Sequence, residues 1–271
     1  MSIIGVTVHA AEASGICVPQ ARFEEDKPWE ILLKHLKDGT YKAAYEVGEF
    51  IPIHLGRYGD FKARIVAMDT DQISGSDRKA AFTFLLSWLL PEKMKMNNDW
   101  ATEDPDVNDQ YLPGTGAVNG WLDCDLRKRL KQEVFPEFPE IVRDNIVPVS
   151  KTSRTFTENC QIFDVVTTDK IWIPSRREIF GKGLFTELSG PVYDGVFDDD
   201  ESRVMLDKDG DPSWWWLRSA SNNDFFYYVN TDGSNINSSA NYEGGVAVGF
   251  CLGSGIYGSR RECGGPAEQV R

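Results

Sequence analysis

Histidine is scarce in this chain, and the cysteines are too scattered to form any of the usual sites. The three histidines show no ligand spacing with one another or with a cysteine. The absence of a C-x-x-C pair argues against a zinc ribbon or a thioredoxin-like site. An odd, sparse set of cysteines also argues against a disulfide-stapled scaffold. The histidines are His9, His35 and His54, and the cysteines are Cys17, Cys124, Cys160, Cys251 and Cys263.

Long apolar runs and excess positive charge are missing as well. No apolar stretch approaches the ~20 residues that a membrane-spanning helix needs, and the longest, around residues 80–90, is broken by Thr83 and Ser87. Residues 1–13 lack the basic region and the long apolar core of a convincing signal peptide. Lys and Arg number 29 against 42 Asp and Glu, for a formal net charge of −13. Such a field repels phosphate backbones and anionic lipids, so we expect neither nucleic-acid binding nor membrane insertion.

Helical patterns predict two main helices. An apolar stripe extends from a cap at Asp26 to Gly39, and a second occupies residues 124–134. A capping box at Ser175 and Glu178 begins a short third helix. Residues 80–90 are expected to be buried, although their pattern does not separate a helix from a strand.

Alternating patterns predict strands elsewhere. Residues 51–65 show two alternating runs around a turn, as in a β-hairpin. Further strands are predicted at residues 146–150, 162–166 and 170–173, a polar loop at 97–120, and an acidic, exposed, irregular stretch at 190–211. No linker composition divides the chain, so one α+β domain is expected over residues 27–252. It is flanked by an N-terminal segment, 1–26, and a tail, 253–271.

Asparagine is concentrated in one part of the chain. Six of the twelve asparagines lie within residues 222–241, together with the four aromatics 225–228 and the hairpin signal Asp232-Gly233. Because successive side chains of a strand alternate between its faces, about half of these rings should point outward. Tyrosine mixed with Asn and Ser is typical of antibody-like recognition surfaces, and neighbouring exposed aromatics mark contact surfaces.

The frame around this window resembles a known family. Its segments read WWWLRS at 214–219, VNTDG at 229–233 and GVAVGFC at 245–251, with upstream matches within 29–39, 45–48, 120–130 and 169–181. They resemble a lectin-like domain family of unassigned function, common in gut Firmicutes and their phages. That family is similar to the C-type-lectin-fold variable proteins of diversity-generating retroelements. In those systems adenine-directed mutagenesis rewrites a C-terminal segment, mainly at Asn codons.

The resemblance implies a fold and a function. The fold is α+β and C-type-lectin-like, with mixed or antiparallel sheets, two main helices, long loops and a variable-type region at about 219–243. The function is that of a non-catalytic, receptor-type protein without a cofactor, located on a virion or a cell surface. Its partner is a surface protein, or a glycan, of a bacterium or host, and a homo-oligomer would increase avidity.

The resemblance also assigns residue roles. The implied scaffold residues are Trp214, Trp215, Trp216 and Arg218. The implied ligand-facing residues are Asn222, Asn223, Asp224, Phe225, Phe226, Tyr228, Asn230, Ser234, Asn235, Asn237, Ser238 and Tyr242.

Two alternatives remain open at this point. Asp207, Asp209 and Asp211 alternate around a turn, an arrangement of oxygens that Ca²⁺ can use, so a calcium-dependent glycan-binding module is one alternative. The spacing does not match an EF-hand, and a solvated acidic loop explains it more simply. The other alternative is an enzyme similar to formylglycine-generating oxidases, which share this fold and use paired cysteines. Cys251 and Cys263 would then be the pair.

Overall fold

The computed structural model describes residues 27–97, 120–157, 161–183, 187–222 and 225–253. Over these ranges the chain is a mixed α+β structure with mostly antiparallel sheets and short helices. The helices are α1 (Pro28–Asp38), α2 (Tyr41–Ala44), α3 (Asp125–Arg129), α4 (Glu140–Arg143), α5 (Arg176–Phe180) and α6 (Asp200–Arg203). The strands are β1 (Phe50–Leu55), β2 (Gly59–Met68), β3 (Phe82–Leu86), β4 (Val149–Phe156), β5 (Ile162–Asp169), β6 (Ile171–Trp172), β7 (Met205–Leu206), β8 (Pro212–Ser213), β9 (Trp215–Ala220), β10 (Phe225–Val229), β11 (Asn235–Ser239) and β12 (Gly249–Leu252). None of the helices within these ranges is long and apolar enough to cross a membrane.

The largest sheet has the order β1-β2-β3-β12-β6, and each neighbouring pair is antiparallel. The predicted hairpin at 51–65 is confirmed, with Ile53 opposite Phe61 and a 3₁₀ turn at Gly56–Tyr58 between its strands. The ambiguous stretch at 80–90 contains β3, whose five residues are all buried. A strand that is buried on both faces shows no alternation of apolar and polar residues, so the sequence pattern of this stretch does not distinguish a strand from a helix.

Helix α1 is confirmed, and its apolar stripe packs against residues of this sheet. Leu32 and Leu36 are buried, and the Trp29 ring lies edge-on to Phe84 with the ring centroids 5.5 Å apart. Gly39 ends the helix in the left-handed region, at φ +70°, where glycine is favoured because it has no Cβ. The predicted cap, Asp26, lies outside the described residues.

A second sheet, of order β11-β10-β9, lies between two apolar cores. Alternate residues of β9 point to opposite sides. Trp216 joins the main core, which includes side chains of the large sheet, whereas Trp215 and Leu217 join a smaller core. The ribbons β4-β5 and β7-β8 complete the described sheets.

The prediction of an exposed stretch at 190–211 is wrong in part. Tyr193, Val196 and Phe197 are buried in the smaller core together with Met205. These apolar residues are interspersed with acidic ones, so the acidic composition of the stretch concealed its buried side chains.

Other element boundaries also shift. The second main helix is regular only through α3 and widens into a π-helical turn at Leu130–Val134. The strand predicted at 146–150 begins at Val149 and continues to Phe156. The capping box at Ser175 is confirmed, since the Ser175 side chain accepts from Glu178 N and the Glu178 carboxylate accepts from Ser175 N.

Candidate binding surface

The Asn-rich window forms a tight hairpin of β10 and β11, as the Asp-Gly signal predicted. Tyr227 lies opposite Asn237 in the antiparallel register. The turn is closed by a hydrogen bond from Asn230 N to Ser234 O, at 2.8 Å. The Asp232 carboxylate accepts from Ser234 Oγ at 2.6 Å and from Ser234 N at 3.0 Å, and these bonds lower the pKa of Asp232.

One predicted ligand-facing residue is instead part of the core. Phe226 is fully buried opposite Ala220 of β9, and it belongs to the main core. The assignment of Phe226 to the ligand-facing set is therefore a mistake. Tyr228, two residues along the same face, is half-buried, with its ring 4.8 Å from that of Trp214. Alternation along β10 places both rings on the side that packs against the Trp-rich strand.

The opposite face of the hairpin contains a residue that was absent from the predicted set. Tyr227 points away from the main core and packs against the smaller one, and the Arg176 guanidinium lies over its ring at 4.6 Å. In the amide orientation that satisfies both side chains, the Asn235 oxygen accepts from Nε and Nη2 of Arg176, at 3.0 and 3.1 Å. Arg176 thus joins the hairpin to α5. The period of two along β10 indicates that Tyr227 and Phe226 lie on opposite faces of the strand, but not which face each one occupies.

The remaining predicted residues differ in exposure. Asn222 and Asn237 are exposed, Tyr242 is 60% exposed, and Ile236, which was not predicted, is 42% exposed. Phe225, Asn230, Ser234, Asn235 and Ser238 are partly buried. Asn223 and Asp224 lie outside the described residues. We call the exposed set the hairpin surface; it consists of Asn222, Ile236, Asn237 and Tyr242, of which Ile236 and Asn237 point to opposite faces of β11.

The tip of the hairpin is fixed against the body of the protein. Gly233 adopts φ +83°, and a Cβ at this position would overlap the main-chain carbonyl of Asp200 in α6. The residue must therefore be glycine for two reasons, its backbone conformation and the close approach of α6. With Phe226 buried at the centre of β10, the hairpin is held at both its middle and its tip.

The predicted scaffold residues are mostly interior. Trp215, Trp216 and Arg218 are buried, whereas Trp214 is only partly buried. Trp216 donates from Nε1 to Met94 O at 2.9 Å, which satisfies its one polar group. Arg218 donates to both oxygens of Glu178, at 2.5 and 2.8 Å.

Arg218 belongs to a buried group of charges that the sequence did not reveal. We call it the ion cluster; it consists of Asp71, Lys151, Glu178 and Arg218, each at most 1% exposed. Lys151 Nζ donates to Asp71, to Glu178 Oε1 at 3.0 Å and to the Tyr193 hydroxyl at 2.9 Å.

The ion cluster is balanced, with two positive and two negative groups. Burial acts to raise the pKa of Glu178, but Arg218 and Lys151 outweigh that effect and hold it at about 2. Since solvent does not reach these four side chains, the described conformation gives them no contact with a substrate. We interpret the cluster as structural.

The carboxylates of the candidate calcium site, at Asp207 and Asp209, bind groups of their own turn. Asp207 Oδ1 accepts the main-chain N–H groups of Asp209 and Asp211, at 3.0 and 3.2 Å. The Asp209 carboxylate pairs with Lys208. Across the parts of the chain that the structure describes, no three His, Cys, Asp or Glu residues are grouped to hold a metal ion.

The cysteine candidate is deeply buried. Cys251 is free and lies in β12, where burial raises the pKa of its thiol well above the usual value. A thiol in this environment is protonated at neutral pH, which opposes a nucleophilic role. Its proposed partner, Cys263, lies outside the described residues.

Comparison with known families gives one match. Residues 97–254, more than half of the chain, match the model of a domain of unknown function, DUF6273. The chain belongs to the DUF6273 family. No curated protein and no solved structure matches it. The DUF6273 range includes the hairpin surface and most of the ion cluster, but Asp71 and strands β1 to β3 precede it.

Proposed function

We propose that this chain is a non-catalytic, receptor-type binding protein that presents the hairpin surface to a partner. The observation that carries the proposal is the division of side chains within one hairpin. Phe226 and Val229 are buried in the two cores, whereas Asn237, Ile236 and Tyr242 are exposed. The hairpin is thus firmly attached, while its outward positions carry adaptable polar and aromatic groups.

The shape of this region favours a macromolecular partner over a small ligand. Small-molecule sites are usually concave, with a few convergent polar groups. Four grooves of 110 to 540 Å³ among the described residues are all lined by other parts of the chain. An exposed set of Tyr, Asn and Ile on a hairpin instead suits a broad contact with a surface protein, or with a glycan as the other outcome.

The finer features of the proposal rest on the resemblance. We propose a C-type-lectin-like arrangement of the antiparallel sheets, a region at about 219–243 diversified by a retroelement, and a location on a virion or cell surface. The buried Trp215 and Trp216 support a fixed frame, because neither can be exchanged without disturbing a core. The outward positions carry no such restriction, so they are the ones that tolerate rewriting.

A segment exchange tests the binding role. Residues 222–242 are replaced by those of a sibling sequence, and the bacterial surface proteins retained by each immobilised version are compared. We expect the retained set to change. A matched control, V47A/I141A/L188A, removes three apolar side chains that are exposed elsewhere and should leave the set unchanged. If the exchange leaves the retained set unaltered, the hairpin surface is not the recognition surface.

The coding DNA tests the diversification. We expect a near-copy of the segment encoding about residues 219–243 close to the gene, differing mainly at adenines, together with a reverse transcriptase gene. A locus with neither would contradict the retroelement part of the proposal while leaving the binding role to the exchange experiment.

A further inference from the structure

A positively charged groove lies on elements that contribute nothing to the hairpin surface. It has a volume of about 540 Å³, within the range of small-molecule sites, and lies between the α3 region and the turn from β5 to β6. Four of its ten lining residues are cations, in a chain whose formal net charge is −13. They are Arg127, Lys128, Lys131 and Lys170.

Two of the four cations already have carboxylate partners. Arg127 Nε lies 2.7 Å from Asp169 Oδ1, and Lys128 Nζ lies 2.7 Å from Asp125 Oδ1. Asp169, the one carboxylate that lines the groove, also accepts from Trp121 Nε1 at 3.1 Å. Its charge is therefore compensated within the protein.

The other two cations have no carboxylate within ion-pair distance among the described residues. These are Lys131, at the π-helical turn, and Lys170, between β5 and β6. The acidic residues of the neighbouring helical turns bind elsewhere, since Glu133 pairs with Arg129 and Glu137 lies near Arg57. Two positive charges thus remain available at the groove.

The groove also offers an apolar surface beside these charges. The Lys170 ammonium lies 5.0 Å from the centroid of the Phe135 ring, and Ile171 and Pro148 line the same space. Arg127 is held in place by its bonds to Asp169 and to the carbonyl of Leu122, so one wall is ordered before any ligand arrives.

We propose that this groove is a binding site for a small organic dianion, such as a phosphate monoester, whose ring or apolar part lies against Phe135. Two unpaired ammonium groups match two negative charges, and an adjacent aromatic ring gives preference to a ligand with an apolar portion. All ten lining residues lie within the DUF6273 range and outside 219–243. The site is therefore separate from the segment proposed to vary, and it does not depend on the proposed hairpin function.

The test measures binding of phenyl phosphate to the full chain by titration calorimetry and NMR at low ionic strength. Inorganic phosphate supplies the charge without the ring, and benzoate supplies the ring with one charge. We expect phenyl phosphate to bind at least tenfold more tightly than either. Raising the ionic strength should weaken its binding, because exposed charges are screened by salt.

Paired variants separate a local site from the overall field. K131E/K170E should reduce the affinity for phenyl phosphate by at least tenfold. K37E/K182E makes the same change in net charge at exposed lysines outside the groove and should leave the affinity within about twofold. Equal losses in both variants, or no measurable binding of phenyl phosphate to the unaltered chain, would overturn the proposal. Thermal unfolding of each variant establishes that both are folded.

Discussion

The ion cluster and the hairpin surface are both polar, yet they use their polar groups in opposite ways. In the ion cluster, Lys151 and Arg218 contact carboxylates inside the protein, and no member is more than 1% exposed. In the hairpin surface, Asn237 and Tyr242 direct their side chains to solvent. Polarity alone therefore does not identify a functional site. What distinguishes the two regions is whether solvent reaches their polar groups.

The two regions therefore differ in the free energy that it costs to place their polar groups in the folded chain. Moving an ion out of water costs several kcal/mol, and only close, well-oriented opposite charges offset that cost. The members of the ion cluster consequently depend on one another, and removing one leaves a buried charge unpaired. The exposed groups of the hairpin surface keep their hydration, so each can be exchanged almost independently.

The largest expected loss of stability comes from breaking the ion cluster. Glu178→Ala leaves Lys151 short of one partner and Arg218 without its two bonds to the carboxylate, so we expect a loss of about 3–5 kcal/mol in the free energy of unfolding. Urea denaturation followed by tryptophan fluorescence measures it. The control is Glu201→Ala at an exposed position of α6, which should change stability by no more than about 0.5 kcal/mol. Similar losses in the two variants would contradict a structural role for the cluster.

A comparable but somewhat smaller loss is expected within the hairpin itself. Phe226→Ala removes a fully buried ring and should cost about 3 kcal/mol or slightly more, mainly through the cavity it leaves. Tyr242→Ala removes a ring that is 60% exposed and should cost about 0.5 kcal/mol or less. Matched urea titrations of the two variants decide whether the division between buried and outward rings is correct.

Acid should weaken the ion cluster. The pKa of Glu178 is lowered in the folded chain from 4.5 to about 2, so its carboxylate favours folding above pH ~4.5 and this contribution is lost as the pH falls towards 2. At about 1.4 kcal/mol per pKa unit, a shift of this size corresponds to roughly 3 kcal/mol of stability. Glu178→Gln should therefore show a weaker fall of stability between pH 4.5 and 2. If the stability of Glu178→Gln and that of the unaltered chain fall equally over this pH range, Glu178 is not the group that causes the fall.

A smaller effect is expected at the tip of the hairpin. Gly233→Ala combines an unfavourable positive φ with overlap on the Asp200 carbonyl, and we expect a loss of about 1–2 kcal/mol or more. Gly210→Ala has a similar φ, +87°, but open space around its Cβ, so it isolates the conformational cost alone. Thermal unfolding of both variants measures the difference. An equal loss in the two would mean that the tip is not held by α6.

The smallest effect on stability is expected for the outward positions, where the effect on binding should be greatest. I236A/N237A/Y242A should cost about 0.5 kcal/mol or less per position. In the retention assay, the same variant should lose the partners that the unaltered chain retains. A variant that is destabilised by several kcal/mol, or that still retains every partner, would contradict the proposed binding surface.

Local features were the ones that the sequence predicted well. The stop at Gly39, the capping box at Ser175 and the Asp232-Gly233 turn each depend on residues within a few positions of one another. Their outcome in the structure matches the prediction because short-range sterics and hydrogen bonds decide them.

Features that depend on distant residues were not predictable. Lys151 meets Asp71, which is 80 positions away, so no local pattern marked it as buried. Period two along β10 indicated that alternate rings share a face, but the contacts with distant residues determine that Phe226 faces the main core and Tyr227 the smaller one. A single sequence shows that neighbouring side chains of a strand face opposite sides, but not which set of side chains faces which side.

The position of β12 has a consequence for how the chain folds. Strand β12 lies between β3 and β6, with Gly249 opposite Leu85 and also opposite Trp172. The N-terminal strands of the large sheet therefore lack a central neighbour until residues 249–252 have been synthesised. Contacts of such long sequence separation slow folding and leave strand edges open in the meantime. The nascent chain would keep the edge of β3 exposed during most of its synthesis, and a ribosome-bound chain ending before residue 249 should be the form most prone to aggregation.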